Sequence, residues 1–202
     1  MSRVSRLLLT AQAVFVLGLA TCAVLDPRGL GSNHGWSYYE GRADTVAPYV
    51  IGFVATIALV AYAAVVAARS DAARGLGWGL AWLALFLALD VASPDSVNEA
   101  FYWAHDLTSA ALFLYELGFA IWLVRTYALT GMGVALVVAQ LCGGLVAMFS
   151  QLQVISGLGL GILVFQLSFG ALLVIATTDL RDAIGDGAFS VDHVAEAARS
   201  RG

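Results

Sequence analysis

Few residues of this 202-residue chain could do chemistry where they stand, and Glu116 is the first of them. It lies in the apolar run His105–Val124, nine residues before Arg125. A helix rises about 1.5 Å per residue, so the Glu116 carboxyl sits about 13 Å from the Arg-bearing end, near the middle of a bilayer. Gln140 stands nine residues after Gly131 in the next apolar run, which returns in the opposite direction, so it reaches the same depth. An ionisable side chain at that depth costs roughly 2.5–3.5 kcal/mol on insertion scales and calls for a partner or a purpose. A Glu116–Gln140 hydrogen bond is the expected satisfaction of both groups. The carboxyl is then either a proton- or cation-binding group or a fastener between two helices.

A second set of polar residues gathers at the other end of the same run. Asp90 closes one apolar stretch, His105 and Asp106 open the next, and Asp95 and Glu99 lie between. On a helix His105, Ser109, Leu112 and Glu116 share one face, a stripe that could lead a proton or cation inward. The plainer reading makes His105 and Asp106 interfacial caps, because an acid near a helix N-terminus is favourable in any case. His34, in the segment before the second run, could join His105 and either Asp90 or Asp106 around a metal. The spacing does not concentrate these ligands, the remaining histidine (His193) falls on the other side of the membrane, and no metal site is expected. Phosphate-loop, nucleophile-elbow and haem-attachment motifs are absent, and nothing in the sequence specifies a cofactor.

The elements that must position these residues follow from composition. The chain is 60% hydrophobic and 12% charged, against roughly 25% charged in a soluble domain, so lipid must solvate most of it. Six stretches have the length and apolarity of a membrane span: Leu7–Leu25, Pro48–Ala68, Gly75–Ala92, His105–Val124, Gly131–Ser150 and Ile155–Thr178. The expected fold is therefore an all-α, polytopic membrane bundle over residues 1–178, with an outer loop at 26–47 and a cytoplasmic tail at 179–202. With the N-terminus inside, the inner segments hold Arg3, Arg6, Arg69, Arg74, Arg125, Arg181, Arg199 and Arg201, and the outer ones only Arg28 and Arg42. That imbalance predicts both termini in the cytoplasm. The first run, behind Arg3 and Arg6, also has the outline of a signal peptide, but its length favours a retained helix. Gly75/Gly79 and Gly157/Gly161 are spaced to let helix backbones approach closely. The loop aromatics Trp36, Tyr38 and Tyr39 are expected to pack on the outer end of the bundle, and Ser190 to cap a short helix ending at Arg199. Cys22 and Cys142 fall at different depths, which argues against a disulfide.

At Gly35-Trp36-Ser37-Tyr38-Tyr39 and Thr45-Val46-Ala47-Pro48-Tyr49 the chain resembles a group of uncharacterised prokaryotic six-helix integral membrane proteins. These share a Gly-x-Ser-x-Tyr loop and a Thr-x-x-Pro-Tyr lead into the second helix. The resemblance implies the six-helix fold and no activity. Ten basic residues that are all Arg suggest a GC-rich bacterial genome, hence a bacterial inner membrane. With net charge −4 and no basic patch, nucleic acid is not expected as a partner. The expected partners are membrane lipid and, as a homo-oligomer or complex, other membrane chains. Three functions fit. The first is binding or conducting a small solute, cation or lipid through an outer-facing polar cavity. The others are an accessory or assembly role in a membrane complex and a membrane-embedded, lipid-modifying enzyme.

Overall fold

The computed structural model describes the backbone of residues 2–199 except 33, 95 and 96, and leaves the side chains of 72 and 179–199 undescribed. Its helices are α1 (Arg3–Leu25), α2 (Ser37–Glu40), α3 (Val46–Ala68), α4 (Arg74–Val91), α5 (Glu99–Thr126), α6 (Met132–Gln151) and α7 (Leu158–Arg199). Among the described residues, α1, α3, α4, α5, α6 and the Leu158–Thr178 part of α7 are long and apolar enough to cross a membrane. The chain is a multi-pass helical membrane protein. Helices are what a bilayer permits here, since every backbone N–H and C=O must be satisfied within its own segment. Leucines such as Leu17, Leu107 and Leu114 point outward, where lipid rather than protein receives them.

Glycine decides how closely some of these helices approach. A Cβ on Gly18 would lie 3.1 Å from the Cα of Gly52, so α1 and α3 meet backbone to backbone. The same holds between α6 and α7, where a Cβ on Gly143 would fall 2.7 Å from the carbonyl oxygen of Gly161. Helix α5 is seated differently, by side chains. Phe113 stacks near Phe165 of α7 with ring centroids 4.3 Å apart, and the Tyr115 hydroxyl donates to the Gly79 carbonyl of α4 at 2.6 Å.

Several expected boundaries move. Helix α5 begins at Glu99, six residues before His105, because the Asn98 side chain caps it by accepting from the Phe101 N–H at 3.1 Å. Helix α7 begins at Leu158, so Gly157 is not a helical partner of Gly161; its φ of 131° places it in the turn before the helix. The helix then continues through Ser190 to Arg199, so Ser190 is an interior position and not the cap of a separate short helix. Gly75 and Gly79 do not bring two backbones together either. They make room for rings of α5: a Cβ on Gly79 would lie 2.4 Å from Phe119, and one on Gly75 3.3 Å from Trp122.

The loop between α1 and α3 lies against the bundle, and its aromatics pack there as expected. Asp26 caps a 3-10 turn at Pro27–Gly31, Tyr39 is 1% exposed, and Trp36 packs 5.3 Å from the Phe15 ring of α1. The Tyr38 hydroxyl donates to Asp26 at 2.9 Å. Tyr39 can lie this deep because Gly29 has no side chain, and a Cβ there would sit 2.4 Å from its ring.

Candidate functional site

Four helices contribute polar groups to one place inside the bundle. Glu116 on α5 is 1% exposed, and its Oε2 accepts a hydrogen bond from Gln166 Nε2 of α7 at 2.8 Å. Gln12 of α1 and Thr56 of α3 line the same cavity, with Leu83 and Phe169 among its apolar walls. The Thr56 hydroxyl donates back to its own helix, to the Gly52 carbonyl at 2.8 Å. The Gln12 amide is accommodated by Gly170, where a Cβ would fall 2.1 Å from Gln12 Oε1. Gln12 Nε2 is buried and has no hydrogen-bond partner among the described residues. The cavity volume is about 40 Å³, room for one group the size of a water molecule.

Gln140 is buried as expected, at 0% exposure, but it is not the partner of Glu116. Both atoms of its amide lack a hydrogen-bond partner among the described residues. Equal depth was the basis for pairing the two, and depth fixes height without fixing direction. Helix α6 packs chiefly along α7, and it is α7 that presents an amide to the carboxyl.

The second cluster, near the start of α5, is assembled from three elements. His105, one and a half turns into α5, is 9% exposed. Its Nε2 lies 2.9 Å from the Ser37 hydroxyl at the start of α2. Its Nδ1 is 3.9 Å from Asp90 Oδ1, at the end of α4. Ser109, one turn further along α5, donates a short hydrogen bond to that same Asp90 oxygen, and Ser93 and Thr108 meet at 3.2 Å beside it. Thus Asp90, His105 and Ser109 come together as the sequence suggested, and the stripe from His105 through Leu112 to Glu116 does face the interior. Asp106 is half-buried and joins none of these contacts among the described residues. Glu99 is in the first turn of α5, and Asp95 lies outside the described residues. His34 is exposed, its backbone N–H bonded to the Ser32 hydroxyl at 3.0 Å. Among the described residues, no three His, Cys, Asp or Glu stand close enough to hold a metal ion.

Nearby, the loop carries its own charge pair. The Arg28 guanidinium donates to Asp26 at 2.8 Å and 3.0 Å, and this contact, assisted by Tyr38, holds the Asp26 carboxyl down at a pKa of about 2. Burial pushes the Tyr39 hydroxyl up from its ordinary value.

No family model, curated protein or solved structure matches this chain. The residues themselves are the guide to function. Three that matter escaped sequence reasoning: Gln12, Gln166 and Ser37. The first two carried a usable signal, since an amide inside a membrane span needs a partner as a carboxyl does. For Ser37 no spacing connects residue 37 with residue 105, and only the folded loop brings them together.

Proposed function

We propose that the protein binds a proton or a single small cation at Glu116, within the membrane. What carries the reading is a buried carboxyl with one hydrogen bond, lining a cavity that Gln12, with its unpaired amide Nε2, also lines. Isolated polar groups in hydrocarbon are costly, so a carboxyl kept there beside open volume is better explained by a ligand than by fastening alone. The volume of about 40 Å³ narrows the expected occupant, because a lipid or an organic solute is far larger than one water. The carboxylate supplies charge, and amide oxygens of Gln12 or Gln166 and the Thr56 hydroxyl supply neutral ligands. We place both termini in the cytoplasm on the distribution of arginines, and the protein in a bacterial inner membrane on its all-arginine basic composition.

In reconstituted vesicles, wild-type protein should take up protons or a monovalent cation under a gradient, followed with an interior dye. Glu116→Gln should fold with an unchanged melting temperature and lose that uptake, since Gln keeps the shape and removes the titratable group. A second reading, in which the chain serves as an assembly subunit, is favoured by an apolar groove between α4 and α5. It has a volume of about 440 Å³ and is lined by Gly75, Gly79, Gly118 and Trp122. Under that reading wild type shows no uptake and Glu116→Gln is indistinguishable from it. Orientation has its own check, in a Cys142→Ala background on intact cells. An impermeant thiol reagent should label Ala43→Cys and spare Ser70→Cys, and the reverse pattern would invert the topology.

A further inference from the structure

The outer cluster has a geometry that the interior site does not use. Ser37, His105 and Asp90 come from three elements, α2, α5 and α4. They line up in one order: hydroxyl 2.9 Å from His105 Nε2, and Asp90 Oδ1 3.9 Å from the other ring nitrogen. A hydroxyl becomes a nucleophile when an adjacent imidazole accepts its proton and a carboxylate orients that imidazole and stabilises its charge. His105 Nδ1 is buried and makes no hydrogen bond among the described residues, leaving it directed at the nearest acid. The distance of 3.9 Å is about 1 Å longer than a working contact, a gap that catalytic hydrogen bonds often close only when substrate binds. Ser109 meanwhile holds Asp90 in place from the same helix that carries His105.

The position says what would be attacked. Phe101, Tyr102 and Trp103 are exposed on the first turns of α5, and aromatic residues of this kind sit at headgroup level. His105 follows them by about a turn or less, which sets Ser37 at the level where the ester carbonyls of lipids lie.

We infer that Ser37 is the nucleophile of an acyl-transfer site, with His105 as its general base, Asp90 as the orienting acid and an ester of an outer-leaflet lipid as the substrate class. Ser37 Oγ bonds to the ester carbonyl carbon as its proton passes to His105 Nε2. The carbonyl–alkoxy bond then breaks, and the alcohol leaves with that proton. Water, activated by His105 in turn, releases the carboxylic acid and restores Ser37. No oxidant or further reactant is needed. None of the interior residues takes part, so this inference and the Glu116 reading fail independently.

The test uses full-length protein in phosphatidylglycerol and phosphatidylethanolamine vesicles, treated with an alkyl fluorophosphonate and digested for mass spectrometry. In the reagent's reaction the Ser Oγ–P bond forms and fluoride departs. The expected result is one adduct, on Ser37, with labelling slowed about 100-fold or more in His105→Ala and about 10-fold in Asp90→Asn. Wild-type labelling is read directly, so the outcome does not hang on whether a variant folds. Absence of an adduct on Ser37 overturns the proposal, as does labelling equally fast in a folded His105→Ala protein. A long-chain nitrophenyl ester in the same vesicles should release nitrophenolate, and a labelled Ser37 without this release would overturn the ester as substrate class.

Discussion

Two polar regions of this protein meet on the same helix and are satisfied to different degrees. Toward the start of α5 Asp90, Ser93, His105, Thr108 and Ser109 interlock and α2 contributes Ser37, with His105 Nδ1 alone of this cluster left without a hydrogen bond among the described residues. Deep in the bundle Glu116 has one hydrogen bond, Gln12 has an unpaired donor and Gln140 has no partner for either amide atom among the described residues. Near the surface a polar group is cheap to place, because water can complete what protein leaves undone. In the middle every unmade bond carries its full desolvation cost. A sparse polar set at depth is therefore the stronger indication of purpose, whereas a dense one at the boundary must show a specific geometry before it implies more than structure.

The sharpest way to break this contrast is to delete one hydrogen bond at each depth. Gln166→Leu leaves the Glu116 carboxyl alone and should lower stability by about 2–3 kcal/mol. Ser109→Ala, in the part-buried cluster near the start of α5, should cost only about 0.5–1 kcal/mol. Unfolding of both variants in the same vesicles measures the difference, and equal losses would mean that depth does not govern these sites. A change of opposite sign comes next. Gln140→Leu replaces an unpartnered buried amide with a hydrocarbon of similar size and should raise stability by about 1 kcal/mol. A loss instead would show that the amide is satisfied in the membrane.

The smallest effect belongs to the loop. Asp26 has its carboxyl pKa lowered from 3.8 to about 2, so below 3.8 the unfolded chain takes up the proton first. The stabilisation this group confers is complete above that pH and is lost as pH falls through about 2. Tyr38 fluorescence should report the loop loosening in that acid window, and Asp26→Asn should remove the transition.

The spans were legible because hydropathy over twenty residues is a strong signal, and the burial of Glu116 followed from a carboxyl standing inside one of them. The start of α5 was not. Its first six residues hold one acid, Glu99, and five apolar or aromatic side chains that read as an interfacial belt before the span, and the signal for the helix start lay instead in Asn98 as a cap. The partner of Glu116 was misassigned for a related reason: Gln140 and Gln166 are both deep enough, and only helix packing selects between them. Ser37 was hidden by its neighbours, since a loop rich in Trp and Tyr reads as an interfacial anchor whichever serine it carries.

Helix α5 carries His105 and Glu116 eleven residues apart, about 16 Å along the axis and about 20° around it. It is also the span held by rings and a tyrosine hydroxyl, where α1 with α3 and α6 with α7 are locked through glycine contacts. A rigid rod transmits rotation along its length without loss. Any turn of α5 in its seat therefore swings the imidazole and the carboxyl together, making the two depths a single mechanical lever.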